Sequence, residues 1–244
     1  MKKIVFALLL TSTQLMAATP PAFTPQQEAR IRELIRETLV ANPGILAEAA
    51  DAYDKQSQQL QQQMLQQVVA ANKDTLFHDA ASPRMGAKNA RLTMVLFTDY
   101  NCPYCKQLDP LLEKIVKTHP DVALILKPLP FRGESSMSAA QHALTVWKTQ
   151  PDKFWALHQR LMAKKGVLDD ASIKAAEQKA GVTPDVSSAA SRSEIDQNLM
   201  LARKLGVQGT PATLIGDHLV SGAVPYEQLE AIVNAQLEQA GAAK

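Results

Sequence analysis

The chain has 244 residues, a formal net charge of +2, and 20% charged against 46% hydrophobic residues. Nothing in this balance suggests nucleic acid, and no long basic run is present. Two cysteines are too few for a disulfide-stapled scaffold, while the length allows one substantial core plus a further element.

Lys2 and Lys3 precede the apolar stretch Ile4 to Leu10, and Leu15-Met16-Ala17-Ala18 supplies a small-residue site, so residues 1–17 are predicted to be a cleavable secretory signal peptide. Its apolar core falls short of the roughly 20 residues of a spanning helix. Cleavage removes both lysines, brings the formal charge to zero, and places the mature chain in an oxidising compartment.

Residues 18–75 are predicted to form a helical arm. Thr24-Pro25 starts a helix in which Ile31, Leu34, Ile35, Thr38 and Leu39 recur at helical spacing among Arg30, Arg32, Glu33, Arg36 and Glu37. It stops near Asn42-Pro43, with Asn42 expected to cap a second helix and Pro43 to occupy its first turn. That second helix runs to about Asn72, and its apolar stripe, including Leu46, Tyr53, Leu60, Leu65 and Val68, is interrupted by eight glutamines between Gln56 and Gln67. Two amphipathic helices without a partner domain must bury their stripes elsewhere, so the arm is read as joining copies of the chain into a dimer or trimer. A helical or flexible linker is the alternative. Ser82-Pro83 and Gly86 mark residues 76–90 as the linker to the next domain.

The domain over residues 91–244 opens with an apolar strand, Leu92 to Thr98. Asn101-Cys102-Pro103-Tyr104-Cys105 follows, at the start of a helix carrying Leu108, Leu111, Leu112, Ile115 and Val116. Unpaired N–H groups and a partial positive charge at a helix N-terminus stabilise a thiolate, so Cys102 is the expected nucleophile and Cys105 the resolving thiol. A zinc site would need four ligands, and His78, His119, His142, His158 and His218 supply no second ligand cluster. A purely structural bridge is disfavoured, because so short a spacer closes a loop too small to constrain the unfolded chain. In an oxidising compartment the pair can instead cycle as a catalyst.

His119-Pro120 ends this helix, and Val122 to Leu126 reads as a strand parallel to the first. A helical block over about residues 133–190 follows. Its first helix is capped by Ser135 or Ser136 and carries Met137, Ala140, Leu144 and Trp147 on one face. A second is marked by Phe154, Trp155, Leu157, Leu161 and Met162, and a third by Asp170, Ile173, Ala176 and Ala180, closed by Gly181. A helix from about Ser193 to Leu205, ended by Gly206, leads to Gly209-Thr210-Pro211. Ala212 to Ile215 and His218 to Ser221 form a hairpin on Gly216-Asp217, and Pro225, Tyr226, Leu229, Ile232, Val233 and Leu237 belong to a final helix.

The dithiol Cys102-Pro103-Tyr104-Cys105, the helical insertion and Gly209-Thr210-Pro211 before the last hairpin together resemble the DsbA family of thiol:disulfide interchange proteins. The expected fold class is α/β: a thioredoxin fold with an α-helical insertion, preceded by the helical oligomerisation arm. The resemblance covers about Arg91 to the C-terminus, and the arm is similar to that of DsbA-like proteins of the suppressor-of-copper-sensitivity C type, in which a helical N-terminal region assembles protomers. It implies a cis bond before Pro211, a client strand pairing with the backbone of Thr210, and tuning of the dithiol by Pro103 and Tyr104. Thr210 resembles disulfide isomerases more than the strongest oxidases, and Pro103-Tyr104 lacks the histidine of those oxidases, so a less extreme potential is expected. Leu96 stands where the family carries a buried carboxylate; Asp99 and Lys127 are the nearby candidates for proton transfer, although such charges are more often solvated.

The resemblance thus implies a periplasmic oxidoreductase acting on exported disulfide-containing proteins, without a cofactor. The preferred reading is an isomerase kept reduced by a membrane reductase of the DsbD type. One alternative is a DsbA-like oxidase recharged by a DsbB-like, quinone-linked membrane protein. Another is a copper-tolerance role, because two neighbouring thiolates suit Cu(I).

Overall fold

The computed structural model describes residues 23–185 and 189–242, so the expected signal peptide lies outside the described residues. The chain divides into two compact units, Met1–Ser57 and Gln58–Lys244.

In the first unit, α1 (Pro25–Ala41) begins as its sequence dictates. The Thr24 hydroxyl accepts from the N–H of Gln27, whose side chain accepts in turn from the N–H of Thr24. Asn42, expected to cap the next helix, closes α1 instead: its backbone and side-chain N–H groups both donate to the Thr38 carbonyl. The last carbonyls of a helix need donors, and an asparagine placed there can supply two. The second helix, α2 (Gly44–Ala71), begins just past Pro43. No residue of α1 is buried, and Leu34, Ile35, Val40, Leu46 and Tyr53 are exposed.

The second unit is built on a five-stranded sheet of β1 (Arg84–Gly86), β2 (Leu92–Thr98), β3 (Val122–Pro128), β4 (Ala212–Ile215) and β5 (His218–Ser221), in the order β1-β3-β2-β4-β5. Strands β2 and β3 are parallel and the other neighbours antiparallel. The helices are α3 (Lys73–Phe77), α4 (Pro103–Thr118), α5 (Glu134–Thr149), α6 (Pro151–Ala163), α7 (Asp170–Ala180), α8 (Ala189–Lys204) and α9 (Tyr226–Ala242).

Alternation along the strands sorts two cores. Met94, Leu96, Leu124 and Ile215 pack with Leu108 and Leu112 of α4, Leu229 and Val233 of α9, and the insertion helices α5 to α7. Val95, Phe97, Ile125 and Leu214 pack on the opposite face with Leu76 of α3, Leu201 and Ala202 of α8, and Leu65, Val68 and Val69 from the end of α2.

Residues 76–90, expected as a linker, are part of this body. Leu76 is fully buried, and Arg84, Met85 and Gly86 pair with Ile125, Leu124 and Ala123. Gly86, read as a loop signal, serves a close backbone approach: a Cβ there would lie 2.4 Å from the Val122 carbonyl oxygen. The glutamine-rich stretch also has work in the fold. Gln62 donates to the Asp217 carbonyl (2.9 Å) and Gln66 to its carboxylate (2.8 Å), clasping the β4–β5 turn.

Neither Ser135 nor Ser136 caps α5. The cap position is Gly133, without a side-chain bond, and Ser136 lies buried in the first turn, where its hydroxyl donates to Asp99 (2.7 Å). A carboxylate from the loop after β2 thus sits beside the start of α5, where negative charge is favoured.

Candidate active site

The segment from Asp99 to Asn101 is held on all sides. One Asp99 carboxylate oxygen accepts from the Asn101 N–H (2.7 Å) and the Ser136 hydroxyl (2.7 Å), and the other from the Arg132 N–H (3.0 Å). The Asn101 amide donates to Ser135 (2.8 Å) and Ser136 (3.1 Å), and its oxygen accepts from the Leu168 N–H (2.7 Å). Asp99 is therefore no solvated charge: it is buried and organises the loop. Lys127 is fully buried too, on the opposite face of the sheet, where it pairs with Asp79 (2.8 Å) and Glu194 (3.5 Å). Burial of both charges is tolerated because each is met by partners.

Cys102 is the N-cap residue of α4, with extended backbone (φ −81°, ψ 119°), and Pro103 takes the first helical position with its φ already set for a helix. The peptide bond between Thr210 and Pro211 is cis, and the Cys102 thiol donates to the Thr210 carbonyl at 3.2 Å. Cys105, in the first turn, accepts from the Asp99 N–H at 3.4 Å. Both cysteines are free thiols and each is 1% exposed, whereas Tyr104 between them is 59% exposed. The predicted site residues Cys102, Pro103, Tyr104, Cys105, Thr210 and Pro211 thus meet at one place.

The two thiols differ electrostatically. Burial opposes ionisation of Cys102, but the N–H groups of Cys105 and Tyr104 and the side chains of Thr210 and Cys105 outweigh it, holding the thiol below its ordinary value. Burial dominates at Cys105 and, with the neighbouring Cys102, pushes it up to about 12 despite the Asp99 N–H and the Thr98 and Thr210 side chains. One sulfur is prepared to be a thiolate while the other is kept as a thiol.

Two features escaped the sequence reading. The Tyr100 hydroxyl meets Nδ1 of His158 at 3.0 Å, and Nε2 of His158 meets the Asp109 carboxylate at 3.0 Å, a fully buried chain joining the residue two before Cys102 to α4 and α6. The hydroxyls of Thr98 and Thr213 are buried without an aligned protein partner. Neither leaves a local signal, because the members come from separate elements. Among the described residues, no three His, Cys, Asp or Glu side chains gather as a metal-binding group.

Residues 93–234 match the DSBA-like thioredoxin domain, and residues 27–63 match the copper resistance protein ScsC N-terminal domain. A periplasmic thioredoxin-like protein from Salmonella enterica serovar Typhimurium is 60% identical over 68% of this chain and 95% of its own, with a TM-score of 0.67. A linker-deleted, substituted form of Proteus mirabilis ScsC is 50% identical over 91% of this chain and all of its own, with a TM-score of 0.71. Disulfide bond formation protein D of Bacillus subtilis is 26% identical over 64% of this chain and 77% of its own. A dithiol at a helix N-terminus beside a cis-proline loop, a helical insertion in a thioredoxin sheet, and these matches at both ends agree: the chain belongs to the DsbA-like thioredoxin family of thiol:disulfide oxidoreductases, in its ScsC-like group.

Proposed function

We propose that this protein is a periplasmic disulfide isomerase for exported proteins, assembled through its N-terminal unit. The observation that carries the reading is the asymmetry of the dithiol: Cys102 at the start of α4 beside the Thr210 carbonyl, its thiolate favoured, and Cys105 buried as a thiol. The Cys102 thiolate attacks one sulfur of a client disulfide, forming a mixed disulfide and releasing the other client sulfur as a thiolate. A different client thiolate can then attack the mixed disulfide, forming a new client disulfide and returning the Cys102 thiolate. Alternatively Cys105 resolves it, releasing reduced client and leaving a Cys102–Cys105 disulfide that a DsbD-like membrane reductase must reduce. A Cys105 that ionises only near pH 12 prolongs the mixed disulfide, which favours rearrangement.

Thr210 and Pro211 would align the client backbone next to Cys102, with Pro103 and Tyr104 tuning the dithiol. The exposed apolar residues Leu34, Ile35 and Leu46 support assembly of a dimer or trimer, which presents several dithiols to one client. The Salmonella relative's description as periplasmic supports the compartment and the expected signal peptide.

Reduced mature protein is expected to reactivate scrambled, fully oxidised ribonuclease, with Cys102→Ser as the blank. Absence of reactivation, together with rapid oxidation of reduced ribonuclease by the disulfide form, would favour the DsbA-like oxidase with a DsbB-like partner, a reading supported by the favoured Cys102 thiolate and the Bacillus relative's name. The match to a copper resistance protein's N-terminal domain supports the third reading, Cu(I) held between the two thiolates. Cu(I) affinity unchanged by Cys102→Ser would count against it.

A further inference from the structure

We infer that the Thr98 hydroxyl, backed by that of Thr213, is the donor that stabilises the Cys105 sulfur as it attacks the mixed disulfide. This deepens the reading of Cys102 as nucleophile and Cys105 as resolving thiol, and rests on it.

The resolving step has an electrostatic difficulty. Cys105 is 1% exposed; its sulfur accepts from the Asp99 N–H at 3.4 Å, and the Thr98 and Thr210 side chains also favour its ionised form. Charge developing on that sulfur has little solvent to stabilise it. The charged groups nearby are committed. The Asp99 carboxylate already accepts from Asn101, Ser136 and Arg132; Lys127 lies across the sheet with Asp79 and Glu194; and Lys106 donates to the carbonyls of Lys164 and Gly166.

Among the described residues, two uncommitted hydroxyls lie on the correct face. Leu96 and Ile215 point toward α4, whereas Phe97, Ala212 and Leu214 point away, so alternation turns Thr98 and Thr213 toward α4. Thr213 stands opposite Leu96 and hence diagonal to Thr98. Both threonines are fully buried, and neither hydroxyl has an aligned protein partner in the dithiol state. The Thr98 side chain nevertheless comes close enough to Cys105 to favour its ionised form. A donor idle in the ground state and engaged when negative charge appears lowers a barrier without strengthening the resting state.

The step balances without an outside oxidant. A bond forms between the Cys105 and Cys102 sulfurs as the bond between Cys102 and the client sulfur breaks, and the Cys105 proton passes to the departing client thiolate. The Cys105 sulfur is oxidised from thiol to disulfide and the client sulfur is reduced from disulfide to thiol. Thr98 donates throughout and exchanges no bond of its own; Thr213 acts through it as a positioning residue.

The test is a rapid-quench measurement on the full chain, with oxidised glutathione as the probe and the Cys102–glutathione adduct followed by mass. Thr98→Val is expected to form the adduct at the unsubstituted rate and resolve it about tenfold more slowly at pH 7, with Thr213→Val slowed less. Thr98→Ser should restore resolution. Neither valine variant should lose stability to urea, since each replaces an unpartnered hydroxyl with a methyl group. Wild-type resolution in the Thr98→Val/Thr213→Val double variant would overturn the inference, as would a Thr98→Ser variant as slow as Thr98→Val. Failure of the unsubstituted protein to form any Cys102 adduct would instead overturn the dithiol reading, and the inference with it.

Discussion

The Cys102 sulfur lies 3.2 Å from the carbonyl oxygen of Thr210, a residue 108 positions further along the chain. The same threonine's side chain favours ionisation of both cysteines, so one residue of the cis-proline loop addresses both sulfurs. Thr210→Val keeps the shape and removes the hydroxyl. It is expected to lower the ionisation constant of Cys102 about tenfold. Because the thiolate stabilises the reduced form, the potential should become more negative, by up to about 30 mV. Thiolate absorbance against pH and equilibration with glutathione check the two values.

The unequal thiols predict an unequal pH response. Alkylation of the dithiol form should occur at Cys102 with a midpoint below the ordinary thiol value of 9.0, while Cys105 stays unreactive to about pH 12. Linkage gives the signs for stability. The folded Cys102 value is depressed, so its contribution is fully present above pH 9.0 and is lost as pH falls through the folded value. The Cys105 value is raised, so stability falls as pH climbs from 9.0 toward about 12, where the unfolded chain ionises and the native protein does not. Urea midpoints of the reduced protein, compared with Cys105→Ala above pH 9.0, test this.

The Tyr100–His158–Asp109 chain is fully buried, so breaking its centre is costly. His158→Phe strands the Tyr100 hydroxyl and the Asp109 carboxylate in the core and should cost about 3 kcal/mol. Chemical denaturation measures it.

Lys127→Met should cost about 3 kcal/mol at pH 7, because it leaves Asp79 and Glu194 facing each other without a cation. Burial opposes the Asp79 charge, but Lys127 and the Ala81 N–H hold it down to about 2. Its contribution is therefore present above the usual carboxylate range and lost as pH falls through about 2. The difference between the two proteins should shrink below about pH 4. Denaturation at both pH values checks it.

In the first unit, Ile31, Leu34, Ile35, Leu39 and Ile45 line one apolar groove. Leu34→Asp with Ile35→Asp is expected to convert an oligomer to a monomer by light scattering and to abolish ribonuclease reactivation. Adduct formation at Cys102 should be unchanged, since these residues lie outside the unit carrying the dithiol.

The elements that periodicity and punctuation mark strongly were legible in the chain itself. Thr24-Pro25 set the start of α1, Gly181 the end of α7, and Gly216-Asp217 the β4–β5 turn, because caps and tight turns are settled by a few adjacent residues. The dithiol and its helix were legible for the same reason. Strand β1 was not: three residues carry no period, and its pairing with β3 is made nearly forty positions away. The roles of Asn42 and Ser136 at helix ends were not legible, because each has two helix ends or partners within reach and only packing selects between them. Asp99 and Lys127 look like surface charges in sequence, yet their burial depends on partners from α5 and α8. The sequence by itself determined which sulfur chemistry the protein carries, since that needs only two cysteines at a helix start. The tertiary structure decided how the two sulfurs differ, because that difference is set by desolvation and by donors brought from β2 and the loop before β4.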